Sequence, residues 1–303
     1  MKSRIGFTIL VFFQFFFTHL AYSQEEKKFE FTGTLQLASK EIITYRIQFT
    51  ELANGNIEGT SLTDIFGSDR TVSKIKGKID TKHNKISFVE TGNISTKSDA
   101  EANTFCYLIV TNASIKLSKG KSVIQGNFVG KYGNGEKCAS GSLYLIGADY
   151  IDRLTKKYLN EDVIKNEDSL KKMQQLNEDI QAKVGNTYLQ SNEVLRLNWS
   201  SSEIIIEVCD SRKADGDEIA IYVNGKKVLD SFVISKDKKT IVVPFPENKG
   251  SIRIQALNEG SLKMCTANIT LRDKDNPTNI VTIMKKESNV VILLNKVKSV
   301  DGN

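Results

Sequence analysis

The sequence predicts a mainly β protein with an N-terminal up-and-down β-barrel, a connecting α-helical segment and a C-terminal β-sandwich. Apolar and polar residues alternate in short runs before position 148 and again after position 186, and this period of two is typical of half-buried strands. Between these regions, apolar residues recur at helical spacing with almost no glycine. We therefore divide the chain into residues 1–23, 24–147, 148–186 and 187–303.

Residues 1–23 have the anatomy of a cleaved secretory signal. Lys2 and Arg4 precede an apolar run over residues 5–20, and Ala21 and Ser23 then supply the small residues of a cleavage site. The run is shorter than the ~20 residues of a membrane-spanning helix, and charged residues follow it, so cleavage is favoured over an uncleaved anchor. We therefore expect a secreted or periplasmic, cell-envelope protein with no transmembrane segment after signal removal.

Residues 24–147 contain about eight alternating segments separated by turn signals such as Asn54-Gly55. Interior glycines suit the sharply coiled strands of a closed barrel, and they occur here at Gly59, Gly77, Gly126, Gly130 and Gly141. A barrel is the first interpretation, and an open sandwich is the alternative. Aromatic rings are expected either to fill the barrel or to line an apolar cavity in it, namely Tyr45, Phe49, Phe88, Phe105, Tyr107 and Phe128.

The rest of the chain is interpreted as a helix and a second β domain. Mostly apolar residues at helical spacing in 148–186 form a stripe (Leu170, Met173, Leu176 or Asn177, Ile180 and Val184). The stripe lasts under ~4 heptads, which favours a connecting helix over a coiled coil. Residues 187–303 contain about eight short strands with the period and spacing of an immunoglobulin-like β-sandwich.

Charge and histidine content exclude several classes of function. The net charge of +6 over 303 residues arises from basic and acidic residues that alternate along the chain, so no basic face for nucleic acid is predicted. After signal removal His83 is the one remaining histidine, which excludes a histidine-ligated metal cluster. His83 lies in a polar turn with no nucleophile signature nearby, and we interpret it as a solvated loop residue. We predict no enzymatic activity, no catalytic residues and no cofactor.

Four cysteines remain in a chain predicted to be secreted, where disulfides are the default and the spacing matches no zinc pattern. Four cysteines allow three pairings. Because two precede the helical segment and two follow it, we predict one disulfide per β domain, Cys106–Cys138 and Cys209–Cys265.

The stretch ADGDEIAIYVNGKKVL over residues 214–229 combines an acidic start with a hairpin signal. Asn224-Gly225 between two apolar runs predicts a two-residue type I′ turn. Asp215 and Asp217 form a weak candidate for a Ca²⁺ site, but an EF-hand loop is absent because Arg212 and Ala214 stand where ligands are needed. We favour a turn shaped by the acidic residues, and we predict no metal site.

This stretch also carries a resemblance. DGDEIAIYVNGKKVL, followed by IRIQALNEGSLKMCTANITL over residues 252–271, resembles a β-sandwich module of secreted proteins from Bacteroidota-type bacteria. Members read DGD, a hydrophobic run and NG, then Ala-x-Asn-x-Gly ahead of a Thr-Ala pair, and this chain matches at Ala256, Asn258, Gly260, Thr266 and Ala267. Lys263 to Cys265 replace the prolines expected before that pair. The match covers roughly residues 195–297 and implies a fold and a compartment, but no chemistry.

The N-terminal domain resembles the small barrels of avidin and the lipocalins, more weakly. The segments that carry this resemblance are GNIEGTSL (55–62) and VIQGNFVGKYGNGEKCASGSLYLI (123–146). Biotin sites of that style depend on tryptophans, and Trp199, the single tryptophan, lies in the other domain. We interpret Trp199 as a packed residue rather than a sugar-stacking platform.

These observations favour a secreted, non-enzymatic protein with an interaction or envelope role, whose protein or glycan partner the sequence leaves unknown. The first alternative is a carrier of a small apolar ligand in the N-terminal barrel. The second is a carboxylate-based glycan hydrolase, for which the sequence selects no pair of acids. No nucleic-acid partner is expected, and the sequence does not predict the oligomeric state.

Overall fold

The computed structural model describes residues 27–64, 69–160, 186–210, 215–261, 263–274 and 276–297. Within these ranges it contains eighteen β-strands and one α-helix, so the prediction of a mainly β protein is confirmed. The predicted signal, and the part of the helical segment that carries its apolar stripe, lie outside the described residues.

The first eight strands of the described chain form a barrel. They are β1 (Lys27–Leu37), β2 (Ile42–Glu51), β3 (Asn56–Asp64), β4 (Thr71–Asp80), β5 (Lys85–Thr96), β6 (Tyr107–Lys116), β7 (Val123–Lys131) and β8 (Lys137–Gly147). Each strand pairs antiparallel with the next, and β8 pairs with β1 to close the ring. The predicted up-and-down barrel is therefore confirmed.

Buried aromatic rings fill the middle of the barrel, and each lies opposite a glycine. The cross-strand pairs are Tyr45–Gly33, Phe49–Gly59, Phe88–Gly77 and Phe128–Gly141. At Gly59 a Cβ atom would overlap the carbonyl oxygen of Gln48, so glycine is what allows these two strands to approach so closely. In each pair the aromatic ring packs over the backbone of the glycine, which has no side chain of its own.

A helix, α1 (Ala148–Asn160), follows the last barrel strand. Asp149 and Arg153 form an ion pair of 2.7 Å one turn apart, and Arg153 also donates hydrogen bonds to the carbonyl oxygens of Lys119 and Gly120. These bonds attach the first turns of α1 to the connection between β6 and β7. No helix in the described part of the chain is long and apolar enough to cross a bilayer.

The strands after α1 form two layers around one hydrophobic core. They are β9 (Thr187–Gln190), β10 (Val194–Trp199), β11 (Glu203–Cys209), β12 (Glu218–Val223), β13 (Lys226–Val233), β14 (Lys239–Pro244), β15 (Lys249–Ala256), β16 (Cys265–Asp273), β17 (Asn276–Met284) and β18 (Asn289–Lys296). One layer has the strand order β14-β11-β16-β17-β9, and the other has β13-β12-β15-β18-β10. Their inner faces bury Trp199 and Phe245 among aliphatic side chains.

The two β regions are joined directly by strand pairing. The first part of β5 pairs with β6 inside the barrel, whereas Ser95 and Thr96 at its end pair with β10 of the second region. Nearby, Lys97 and Glu193 form an ion pair of 2.8 Å, in which the lysine is largely buried. The connection between the domains is therefore not limited to the helical segment that the sequence predicts.

Candidate functional site

A cavity of about 320 Å³ opens at one end of the barrel. It lies where β1 and β3 end and where β2, β4, β6 and β8 begin. Its described lining combines apolar side chains with hydroxyl, amide and carboxyl groups: Leu35, Leu37, Ile43, Thr63, Asp69, Thr71, Ser73, Glu90, Asn93, Ser98, Ala100, Thr104, Phe105, Cys106, Leu108, Phe128, Tyr132, Cys138 and Ala139. The barrel is thus filled in its middle and open at this end. Of the six aromatic residues named from the sequence, Phe105 and Phe128 reach the cavity.

Glu90 is a buried carboxyl group in the wall of this cavity, with 8% of its surface exposed. It follows Ile86 and Phe88 on the inner face of β5, where alternation would place another apolar residue. The register between β4 and β5 shifts next to Glu90, and the ladder between β5 and β6 ends at Val89. The next residue pair along this ladder would be Glu90 and Leu108. There the side-chain carboxyl group of Glu90 takes the place of a backbone carbonyl oxygen and accepts the hydrogen bond from the N–H of Leu108.

Three hydrogen bonds from described residues hold this carboxyl group. Tyr45 and Ser61 donate to Oε1 at 3.0 and 2.5 Å, and the backbone N–H of Leu108 donates to Oε2 at 2.8 Å. Burial raises the pKa of Glu90, whereas the hydrogen bonds from Ser61, Leu108 and Tyr45 lower it. Because a carboxylate accepts about four hydrogen bonds, the described residues leave one acceptor position on Oε2 for another donor.

Glu90 is not among the site residues predicted from the sequence, although a signal was present. In KISFVETG an acidic residue occupies a position of the apolar alternation, and a carboxyl group on the buried face of a strand needs partners. Those partners come from β2, β3 and β6, which are distant in sequence, and sequence alone does not bring them together.

The Cys106–Cys138 disulfide lies in the wall of the cavity, and its prediction is confirmed. It ties the segment before β6 to the beginning of β8. Gly130 on β7 makes room for it, because a Cβ atom there would overlap the sulfur of Cys106. The disulfide therefore fixes the strand ends that form part of the cavity rim.

The predicted Cys209–Cys265 disulfide is wrong, because both thiols are free. Cys209 lies on the outer face of β11, whereas Cys265 on β16 points into the core. Cys209 pairs with Asn268, three residues along β16 from Cys265. At ~3.3 Å per residue the two Cα atoms are separated by about 10 Å along the strands alone, which is beyond the ~7 Å reach of a disulfide.

Asp217 and Asp215, the weak Ca²⁺ candidates, lie in a turn that packs against the segment before β16. Asp217 is 1% exposed and accepts hydrogen bonds from the backbone N–H and hydroxyl of Thr266 at 2.7 and 3.3 Å. Gly260 is in contact with the carboxyl group of Asp215, where a Cβ atom would collide with it. Burial raises the pKa of Asp217, as does the charge of Asp215, while the bonds from Thr266 lower it.

Residues that carry the resemblance to the DGD…NG module therefore contact each other: Asp217 contacts Thr266, and Asp215 contacts Gly260. Asn258 also donates a hydrogen bond of 3.3 Å to Glu218. In the described ranges no three histidine, cysteine, aspartate or glutamate side chains lie close enough together to hold a metal ion. In this fold Asp217 accepts a hydrogen bond from a backbone N–H at the beginning of β16.

The other residues singled out in the sequence lie in turns or in the core. Asn224 and Gly225 have φ angles of 50° and 78°, as a type I′ turn requires, and the predicted hairpin between β12 and β13 is confirmed. Trp199 is buried and donates to the carbonyl oxygen of Glu203, so it is packed as predicted and offers no sugar platform. His83 is exposed in its turn and bonds to Asp80 at 2.7 Å.

A second, polar cavity of about 250 Å³ lies between the outer face of the barrel and β9 and β17. It contains the ion pair of Arg46 with Glu30, at 3.7 Å, and the side chain of Arg70. Burial lowers the pKa of Arg46 and raises that of Glu30. Each charged side chain of this cavity lies near a side chain of opposite charge. We therefore interpret the cavity as part of the contact between the two β regions.

Comparisons of the chain with protein-family models, with curated proteins and with solved structures find no match. The candidate site is therefore defined by its geometry: a cavity at the end of a barrel, with a largely apolar lining and one hydrogen-bonded carboxyl group, that of Glu90, in its wall.

Proposed function

We propose that this protein is an exported, non-enzymatic binding protein that holds a small, largely apolar ligand at the open end of its barrel. The observation that carries the proposal is the cavity of about 320 Å³ with Glu90 in its wall. Ligand sites typically have volumes of ~300–1,000 Å³, with mostly apolar walls and few polar groups that orient the ligand. Leu37, Ile43 and Phe128 supply such walls, and Glu90 supplies such a group.

The finer features of the fold are part of the same proposal. We propose that the C-terminal region is an immunoglobulin-like sandwich and a member of the secreted DGD…NG module, and that the barrel is of the avidin and lipocalin style. Two layers around one core, and the contacts of Asp217 with Thr266 and of Asn258 with Glu218, support the first assignment. The signal predicted for residues 1–23, with basic residues, an apolar run and small residues in order, supports export to the periplasm, the cell envelope or the medium.

Binding of a neutral apolar dye tests the proposal. The mature protein is titrated with N-phenylnaphthylamine, and fluorescence gives the dissociation constant. Ala100 is an exposed alanine in the cavity lining, so Ala100→Trp should obstruct the cavity without altering the core. We expect this substitution to weaken dye binding about tenfold, a loss of about 1.4 kcal/mol.

Ala53→Trp is the matched control. Ala53 is an exposed alanine in the turn between β2 and β3, at the other end of the barrel. This substitution should leave dye binding unchanged. Absence of dye binding to the wild-type protein, or equal affinities of the two tryptophan variants, would overturn the proposed function.

A second candidate function is contact with a protein partner through strand edges of the C-terminal region. β13 and β14 are consecutive strands, and each forms the edge of its sheet. Val233 and Val242 on them are each 56% exposed, and exposed apolar edge strands can pair with another chain. Analytical ultracentrifugation tests self-association through these two edge strands. A concentration-dependent dimer that Val242→Lys abolishes would support this function, and a monomer at all concentrations would exclude it for copies of this chain.

A further inference from the structure

The cavity at the barrel end contains acidic side chains but no basic ones among the described residues that line it. Glu90 and Asp69 are the charged residues of this lining, and its other polar groups are hydroxyls and amides. The chain as a whole carries more basic than acidic residues, so the acidic character belongs to the cavity and not to the overall composition.

Within the described ranges, the donors to Glu90 are all neutral. A phenol, a serine hydroxyl and a backbone N–H supply hydrogen bonds but no positive charge. A carboxylate removed from water is stabilised best by a cation that also donates a hydrogen bond, and these bonds are stronger than neutral ones. Burial is the largest cause of the raised pKa of Glu90, and no basic side chain of the described cavity lining offsets it.

We propose that the ligand of this cavity is an apolar molecule with a protonated amine head group, which donates a hydrogen bond to the remaining acceptor position on Oε2 of Glu90. This inference rests on the proposed function, because it names the class of ligand for the same cavity. The apolar tail would lie against Leu37, Ile43 and Phe128. A ligand with a carboxylate head group is disfavoured, because Glu90 and Asp69 would repel it.

Three ligands with the same chain length test the head group directly. Octylamine, octanol and octanoate are each titrated by calorimetry into the mature wild-type protein at neutral pH. We expect octylamine to bind about tenfold more tightly than octanol, because a charge-assisted hydrogen bond is roughly twice as strong as a neutral one. Octanoate should bind most weakly.

Two variants assign this preference to one residue. Glu90→Gln keeps a group that bonds to Leu108, Tyr45 and Ser61, so the fold is retained, but it removes the charge. Octylamine should then bind no more tightly than octanol. Glu30→Gln is the matched control, since Glu30 lies on the outer face of the barrel, and it should leave the preference unchanged.

The outcomes separate this inference from the proposed function. If the dye binds and Ala100→Trp weakens it, but octylamine binds no better than octanol or octanoate, the cavity is a ligand site and the amine inference is wrong. A preference for octylamine that survives Glu90→Gln also overturns it. If the dye does not bind, the proposed function fails, and the amine inference, which rests on it, fails with it.

Discussion

Tyr45 donates a hydrogen bond of 3.0 Å to Glu90 across the interior of the barrel, from β2 to β5. Ser61 on β3 and the backbone N–H of Leu108 on β6 donate to the same carboxyl group. One acidic side chain in the wall of the cavity therefore connects three strands to β5. Its removal should affect both stability and the shape of the site.

Glu90→Leu should lower the free energy of unfolding by about 3 kcal/mol, because it leaves the buried donors of Tyr45, Ser61 and Leu108 without their acceptor. In Glu90→Gln the amide oxygen accepts from Leu108, and the amide group donates to the two hydroxyls. This control should stay within about 1 kcal/mol of the wild type. Urea unfolding gives both values. A leucine variant as stable as the glutamine variant would contradict the role of Glu90 as a shared acceptor.

Stability should depend on pH through the same residue. Burial raises the pKa of Glu90 above its usual 4.5, so the native state holds this proton more tightly than the unfolded chain does. The contribution of Glu90 to stability therefore falls as pH rises from the unfolded pKa through the raised native pKa, and it is constant above that value. The free energy of unfolding of Glu90→Gln, relative to the wild type, should rise across this window. Denaturant titrations of both proteins at a series of pH values test this, and a difference that does not change with pH would contradict it.

The Cys106–Cys138 disulfide should stabilise the native state by about 3 to 4 kcal/mol, as expected for a closed loop of this length. The double variant Cys106→Ser, Cys138→Ser should show this loss in denaturant unfolding. Cys209→Ser is the control, because Cys209 is a free thiol on the outer face of its strand, and it should change stability little. Equal stability of the double variant and the wild type would mean that the disulfide does not constrain the chain.

The two free thiols should differ in reactivity. Cys265 is fully buried, and burial together with the charges of Asp217 and Asp215 raises its pKa to about 12, so it forms almost no thiolate. Cys209 is partly exposed. An alkylating reagent should therefore label Cys209 in the native protein and Cys265 only after unfolding, as mass spectrometry of the peptides can show. A peptide in which Cys209 is linked to Cys265 would contradict the structure.

Asp217 should act as a hydrogen-bond acceptor and not as a calcium ligand. Asp217→Ala removes the acceptor for Thr266 and should lower stability by about 1 to 3 kcal/mol, whereas Asp217→Asn keeps an acceptor oxygen and should cost less. Millimolar Ca²⁺ should leave the melting temperature of the wild type unchanged. A rise of several degrees that Asp217→Asn abolishes would show that the carboxylate binds the ion.

Local sequence signals predicted most of the strands and several turns. Alternation in β1 and β2, the interior glycines and Asn224-Gly225 each depend on residues close together in the chain, and the barrel and the hairpin follow from them. β9 was not predicted, because it has only four residues and its partner β17 is distant in sequence and parallel to it.

What the sequence by itself determined is therefore the mainly β character of the described chain, the closed barrel and the Cys106–Cys138 pairing. The tertiary structure decided which distant groups meet. It placed Cys209 and Cys265 on opposite faces of adjacent strands, paired the end of β5 with β10, and assembled three donors around Glu90. The physical reason is that alternation and turn preferences are local, whereas strand register and the satisfaction of a buried carboxyl group depend on strands that the chain brings together only when it folds.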